Sequence, residues 1–178
     1  NPFDFDNMSG RIGIDGSMTG LNVLKPTLLE AKIAKEINIP AMTLKGAVNY
    51  NPGTVSGNLA MTAAGGRLAL KALWKEKRQG YDAELTLDSF PVNAFMPSLG
   101  VGEISASLSA RGSGLDILSP NTAANISLDI ENAEYLQKHY SGITADISLE
   151  NSHASGSVVS NNEAADFDID LAAELSRQ

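Results

Sequence analysis

Along most of this chain hydrophobic and polar residues alternate with a period of two, the spacing that sends successive side chains to opposite faces of a β-strand. Met42, Leu44, Val48 and Tyr50 alternate with Thr43, Lys45, Ala47 and Asn49 until Asn51-Pro52-Gly53-Thr54 interrupts them. That tetrad predicts a turn, because Pro presets φ at the second position and Gly accepts a positive φ at the third. Val55, Gly57, Leu59 and Met61 then complete a hairpin. After Ala63-Ala64-Gly65-Gly66 turns the chain again, Leu68, Leu70, Ala72 and Trp74 form a third strand; beyond Gly80, Tyr81, Ala83, Leu85 and Leu87 form a fourth. The four read as a meander.

The same grammar fills the second half. Ile104, Ala106 and Leu108 alternate with serines, and Ile126, Leu128 and Ile130 with Ser127, Asp129 and Glu131. Ile143, Ile147 and Leu149 follow, then Val158 in the segment around Gly156, then Phe167, Ile169 and Leu171 between Asp166, Asp168 and Asp170. Helical spacing is confined to Pro91–Ser98 and Leu28–Lys35, with Tyr135–Tyr140 read as a loop or one turn of helix.

An internal repeat organises these segments. Gly20-Leu21-Asn22-Val23-Leu24-Lys25-Pro26 matches Gly114-Leu115-Asp116-Ile117-Leu118-Ser119-Pro120, and Leu44, Val48, Tyr50, Gly57, Leu68 and Leu70 match Ile143, Ile147, Leu149, Gly156, Phe167 and Ile169 at a constant offset of 99. Internal repeats fix architecture. The expected fold is all-β: a curled antiparallel sheet built from two copies of a multi-strand unit, with one or two short connector helices. The expected division is a first β-repeat unit over 1–90, a helical connector over 91–101 and a second unit over 102–178.

Composition narrows the functional classes. The 178 residues include no cysteine, so disulfides, thiolate metal sites and thiol nucleophiles are excluded. A net charge of −8 disfavours a phosphate backbone, and the one basic group, Lys75, Lys77 and Arg78 around Glu76, reads as a solvated turn. Nucleic acid is therefore not an expected partner. No stretch reaches the roughly 20 apolar residues of a transmembrane helix. The chain starts at Asn1-Pro2 without leader-like regions and is expected to be part of something longer.

Candidate chemistry is sparse. His139 and His153 have no partner spacing that suggests a ligand set, Ser113 lies in a Gly-Ser-Gly turn, and Ala64-Gly65-Gly66-Arg67 lacks the Lys-Ser/Thr ending of a phosphate loop. Asp166, Asp168 and Asp170 share one strand face and project in parallel, so they read as a solvated face and not a calcium cage. With no acid–base pair, nucleophile or metal set, the expectation is that the protein is not an enzyme, with no catalytic residue, metal or cofactor. The apolar face remains. It is either closed on a second layer as a core or open as a groove for an apolar guest.

The string Gly102-Glu103-Ile104-Ser105-Ala106-Ser107-Leu108 followed by Gly112-Ser113-Gly114-Leu115-Asp116-Ile117-Leu118-Ser119-Pro120 resembles the recurring unit of the AsmA-like superfamily, with the nearest likeness to TamB-type proteins of Bacteroidetes-like envelopes. Tyr140-Ser141-Gly142-Ile143-Thr144-Ala145-Asp146, the strand around Gly156 and Leu87-Asp88-Ser89-Phe90-Pro91 carry the likeness through both copies. The resemblance implies a periplasmic protein anchored in the inner membrane by a helix outside this chain. Its repeats would curl into a β-taco groove that conducts phospholipid acyl chains towards the outer membrane, beside neighbouring repeats of the same protein and an outer-membrane barrel partner. The implied groove residues are Leu44, Val48, Tyr50, Leu59, Met61, Leu68, Leu70, Leu85, Leu87, Ile104, Leu108, Ile126, Leu128, Ile130, Ile143, Ile147, Leu149, Val158, Phe167, Ile169 and Leu171. The alternative is a structural or interaction module with a closed core and strand-edge partner binding.

Overall fold

Every alternating segment becomes an antiparallel strand of one sheet in the computed structural model, which describes residues 8–20, 36–163 and 165–176. The strands are β1 (Gly10–Thr19), β2 (Ala41–Asn51), β3 (Thr54–Ala63), β4 (Gly66–Lys75), β5 (Gly80–Pro91), β6 (Val101–Ser113), β7 (Ala123–Tyr135), β8 (Lys138–Tyr140), β9 (Ile143–Glu150), β10 (His153–Asn162) and β11 (Ala165–Glu174). Spatial order follows chain order, except that the short β8 and the longer β9 share one edge of β7. The sheet is curled and open: β1 and β11 lie at opposite ends of the pairing path, and no barrel forms.

The connector between β5 and β6 is helical, as Pro91–Ser98 predicts: α1 (Val92–Phe95) leads into a 3-10 turn over Pro97–Leu99. Phe95 of α1 stacks on Phe90 with ring centroids 5.1 Å apart, which fastens the connector to the sheet. Tyr135–Tyr140 is neither a loop nor a helical turn. It closes a small hairpin in which Tyr135 pairs with Lys138 and Ala133 with Tyr140, while Leu136 and Gln137 take positive φ of 48° and 64°. Two such residues form a tight hairpin turn, a use of Leu and Gln that turn propensity does not suggest. Leu28–Lys35 lies outside the described residues.

Alternation survives the length of the sheet because bulges reset it. Between β5 and β6 the pairing steps from Leu87↔Ala106 to Phe90↔Ile104, so β5 carries one extra residue there, and Ser89 sits at φ 46°. A one-residue insertion swaps the faces of everything beyond it. Phe90, at the wrong parity for the Leu85–Leu87 face, is thereby returned to it. A second shift, from Ala106↔Ile130 to Ser105↔Asn132, does the same for Ala133 on β7. Bulges also bend the strands that hold them, which curls the sheet locally.

The sequence repeat is a repeat of register. Val48 pairs with Gly57 and Gly57 with Ala72; Ile147 pairs with Gly156 and Gly156 with Leu171, every residue 99 positions later. Gly66 to Lys75 and Ala165 to Glu174 are thus equivalent strands. Between the two sets, β5, β6 and β7 continue the same sheet without a break.

Glycine marks close approach at Gly112, where an added methyl group would run into the Ala123 carbonyl and the Tyr81 ring. Gly13, on the edge strand β1, has nothing within 4 Å. Gly112→Val is therefore expected to lower stability by about 1–3 kcal/mol through overpacking, whereas Gly13→Ala changes it by less than about 1 kcal/mol; urea unfolding of both variants measures the contrast.

The edge strand β11 is tied to β10 at its far end by His153 Nε2 and Glu174 Oε1, 3.3 Å apart. Nδ1 of the same ring donates to the Asn151 carbonyl at 2.9 Å. The carbonyl first, and Glu174 after it, raise the His153 pKa above its ordinary 6.5 against an opposing desolvation. The tie is consequently complete below the ordinary value and is lost as pH rises through the folded one. NMR titration of the ring is expected to give a lower pKa in Glu174→Gln than in the parent protein.

Candidate functional site

The registers of ten strands line up the alternating residues into rows that run from edge to edge. One row holds Leu44, Met61, Leu68, Leu87, Ala106, Ile130, Ile143, Ser160 and Phe167. The next contains Gly46, Leu59, Leu70, Leu85, Leu108, Leu128, Ala145, Val158 and Ile169. Val48, Gly57, Ala72, Ala83, Ala110, Ile126, Ile147, Gly156 and Leu171 make the third; Tyr50, Val55, Trp74, Tyr81, Gly112, Ala124, Leu149 and Ala154 lie in the fourth. On β1, Ile12 and Ile14 extend the third and second rows.

All twenty-one residues expected in the groove lie on this one face, Ile104 included, which sits opposite Phe90 beyond the bulge. No charged side chain interrupts the four rows. Their only serine, Ser160, is fully buried and donates to the Ala165 carbonyl, so its hydroxyl imposes no unmet polar demand. Val55, Trp74, Tyr81, Phe90, Ile12 and Ile14 belong to the same face without having been expected in the groove. The first three follow the alternation and extend it by one row. Phe90 is legible only through the bulge.

Among the described residues no second layer covers this face. The buried apolar residues are Ala47, Ala63, Phe90, Ala106, Ala124 and Leu149, only two of them large. Leu70, Ile126 and Ile147 remain 36–38% exposed on interior strands, as does Val48 one strand in from the edge, and Ile169 and Leu171 are more exposed on the edge strand β11. Ten strands at about 4.8 Å spacing and four rows cover a footprint of about 43 Å by about 20 Å. Roughly 900 Å² of continuous apolar face lies beyond the few hundred Å² that soluble monomers ordinarily expose.

The opposite face is mainly polar, interrupted by Leu73, Val159 and a few alanines, and carries the ion pairs. Arg111 bridges Asp82 at 3.0 Å and Glu84 at 3.4 Å across β5 and β6, and Ser127 donates to Asp146 at 2.6 Å. Shallow recesses on this side are lined by Glu84, Ser107, Ser109, Ser127, Asp129 and Asp146, where small serines stand between longer side chains. Asp166, Asp168 and Asp170 project from β11 on the same side, all exposed. His139 on β8 and His153 on β10 lie at opposite ends of the sheet and share no site. Lys75, Lys77 and Arg78 form the exposed turn between β4 and β5, with the 3-10 segment Glu76–Arg78 at its centre.

Comparison with protein-family models, with curated proteins and with solved structures finds no match for this chain. The apolar face is therefore judged on its own chemistry. It offers area and lacks charge, and apart from the buried Ser160 its polar side-chain groups are those of Tyr50, Trp74 and Tyr81 in the fourth row.

An open face also has an energetic signature. Leu149, 9% exposed, is expected to lose about 2–3 kcal/mol on truncation to Ala, within the range for buried aliphatics. Ile147, on the same strand and face but 38% exposed, is expected to lose about 1 kcal/mol. Equal losses in chemical denaturation would mean that Ile147 is covered.

Proposed function

We propose that this chain is a segment of an AsmA-like, TamB-type envelope protein whose open apolar face carries phospholipid acyl chains between inner and outer membranes. The supporting observation is a face of ten strands and four rows that holds no charge and stays partly exposed at its centre. Each Å² of acyl chain withdrawn from water onto such a surface contributes about 25 cal/mol. Transfer along it needs no headgroup recognition. The polar outer face, with its ion pairs and acidic residues, keeps the other side of the sheet in water and fits a periplasmic setting. The protein acts as a conduit and not as an enzyme.

The free edges favour a second role for the same segment. The outer backbone groups of β1 and β11 have no strand partner among the described residues, and such edges accept a further strand by β-augmentation. Neighbouring repeats of the full-length protein, or a strand of an outer-membrane barrel protein, are the partners of matching chemistry. This reading extends the conduit lengthwise and does not require a closed core.

The test is lipid retention. Organic extraction of the purified protein followed by mass spectrometry is expected to release phospholipid. In Leu70→Arg and Ile147→Asp, which place a charge in the middle of the face, that phospholipid is expected to fall to background. Asp168→Ser, on the outer face, retains it. Lipid-free parent protein, or unchanged lipid in both charged variants with the fold preserved by circular dichroism, would refute the conduit.

A further inference from the structure

One end of the sheet gathers three features that do not belong together in a water-facing loop. The fourth row of the apolar face, the last before this end, contains Tyr50, the chain's one tryptophan Trp74, and Tyr81. Beside it stands the turn with Lys75, Lys77 and Arg78, which form no ion pair among the described residues. Next to that turn the segment joining β6 to β7 displays Leu115 at 69% exposure and Ile117 at 58%. The turn and the loop line a common recess, and the Gly114 N–H donates to the Gln79 carbonyl at 3.1 Å.

The loop is built to hold those aliphatic side chains outward. Thr122 Oγ1 donates to the Asp116 carbonyl at 2.6 Å, the Leu118 N–H to the Asp116 carboxylate at 3.1 Å, and the Ser119 N–H to the Asp116 carbonyl at 2.9 Å. Ser152, from the turn between β9 and β10, donates to the Leu118 carbonyl at 3.3 Å and ties the loop to the sheet. Asp116, Ser119 and Thr122 thus hold the loop through hydrogen bonds to its own backbone, while Leu115 and Ile117 face water.

We infer that this end of the sheet docks on an anionic bilayer surface, with Leu115 and Ile117 entering the headgroup layer, Lys75, Lys77 and Arg78 meeting lipid phosphates, and Trp74 and Tyr81 lying at the interface. Aliphatic anchors beside cations are the chemistry of interfacial binding, and Tyr and Trp favour the boundary between water and hydrocarbon. Each cation near a negative surface strengthens binding about fivefold. Glu76 and Asp116 stand in the same recess, and the Asp116 carboxylate is already engaged by the loop backbone. The chain as a whole carries −8, so attraction to an anionic surface must come from a local patch, and this turn supplies it. The opposite end exposes Met96, Leu99 and Leu136 with Glu103, Glu134 and Lys138 around them, while the carboxylates of Glu150 and Glu174 at the docking end stand on β9 and β11, several strands from the cationic turn.

This inference goes beyond the lipid-carrying role and holds whether or not the apolar face retains acyl chains. Its test is sedimentation of the full chain with vesicles of phosphatidylglycerol and phosphatidylcholine against phosphatidylcholine alone, followed by Trp74 fluorescence. The expected result is binding to the anionic vesicles that weakens with salt and shifts Trp74 emission to the blue. Lys77→Gln with Arg78→Gln is expected to weaken it about 25-fold, Leu115→Ser with Ile117→Ser at least about tenfold. Leu99→Ser with Leu136→Ser, at the other end, leaves it unchanged. Equal binding to both vesicle types, or parental binding by the Leu115/Ile117 variant, would overturn the inference and would indicate adsorption through the broad apolar face. Loss of extractable phospholipid with vesicle docking intact would count against the conduit alone.

Discussion

The structure depends on one constraint: side-chain parity has to be kept in step across ten antiparallel strands. A slip of one residue at any pairing would carry leucines to the Asp- and Ser-rich face and carboxylates to the apolar one. Each hairpin therefore fixes its own register through its turn, and each irregularity is confined to a bulge that adds one residue and restores the faces beyond it. The extra residue near Ser89 returns Phe90 to the apolar side, where its ring meets Phe95 of α1. The connector helix is held in place by the same correction.

A single layer held this way gains little from a conventional core. Lateral contacts within each row half-bury the aliphatic side chains, and neighbouring strands supply the backbone hydrogen bonds, but among the described residues only the α1 connector, through Phe95 on Phe90, is seen to pack on this face, and no second layer covers it. Stability in such an array is carried between adjacent strands, as in repeat proteins, where each unit needs its neighbours and not a distant partner. The identical registers of β2–β3–β4 and β9–β10–β11 show the same unit used twice within one sheet. A unit that repeats in register can lengthen without changing its cross-section.

The functional reading rests on the contrast between the two faces. On the polar side, ion pairs such as Arg111 with Asp82 and Glu84 are exposed and contribute modestly to stability. They keep that side wet. On the other side, charge is absent over four rows of the sheet, and the proposed lipid-carrying role rests on that difference. The two ends of the sheet differ as well: one groups Lys75, Lys77 and Arg78 beside Trp74, Tyr81 and the outward Leu115 and Ile117, and the other has no comparable cluster of cations and aromatic residues among the described residues.

By itself the sequence determined nine of the eleven strands, all but β1 and β8, together with most of their turns, the repeat offset of 99 and most of the apolar face. Period-two alternation is a local property, and the twenty-one groove positions follow from it strand by strand. Leu136-Gln137 was beyond its reach, because a hairpin turn of residues without a turn preference is imposed by the pairing of β7 with β8. So was Phe90, whose face depends on a bulge that appears only when two strands are laid side by side. Whether the apolar face would be covered was also undecided, since an alternating strand reads the same against a second sheet as against open space. Only the tertiary structure decided that: among the described residues, every strand joins one layer and none is left to lie across it.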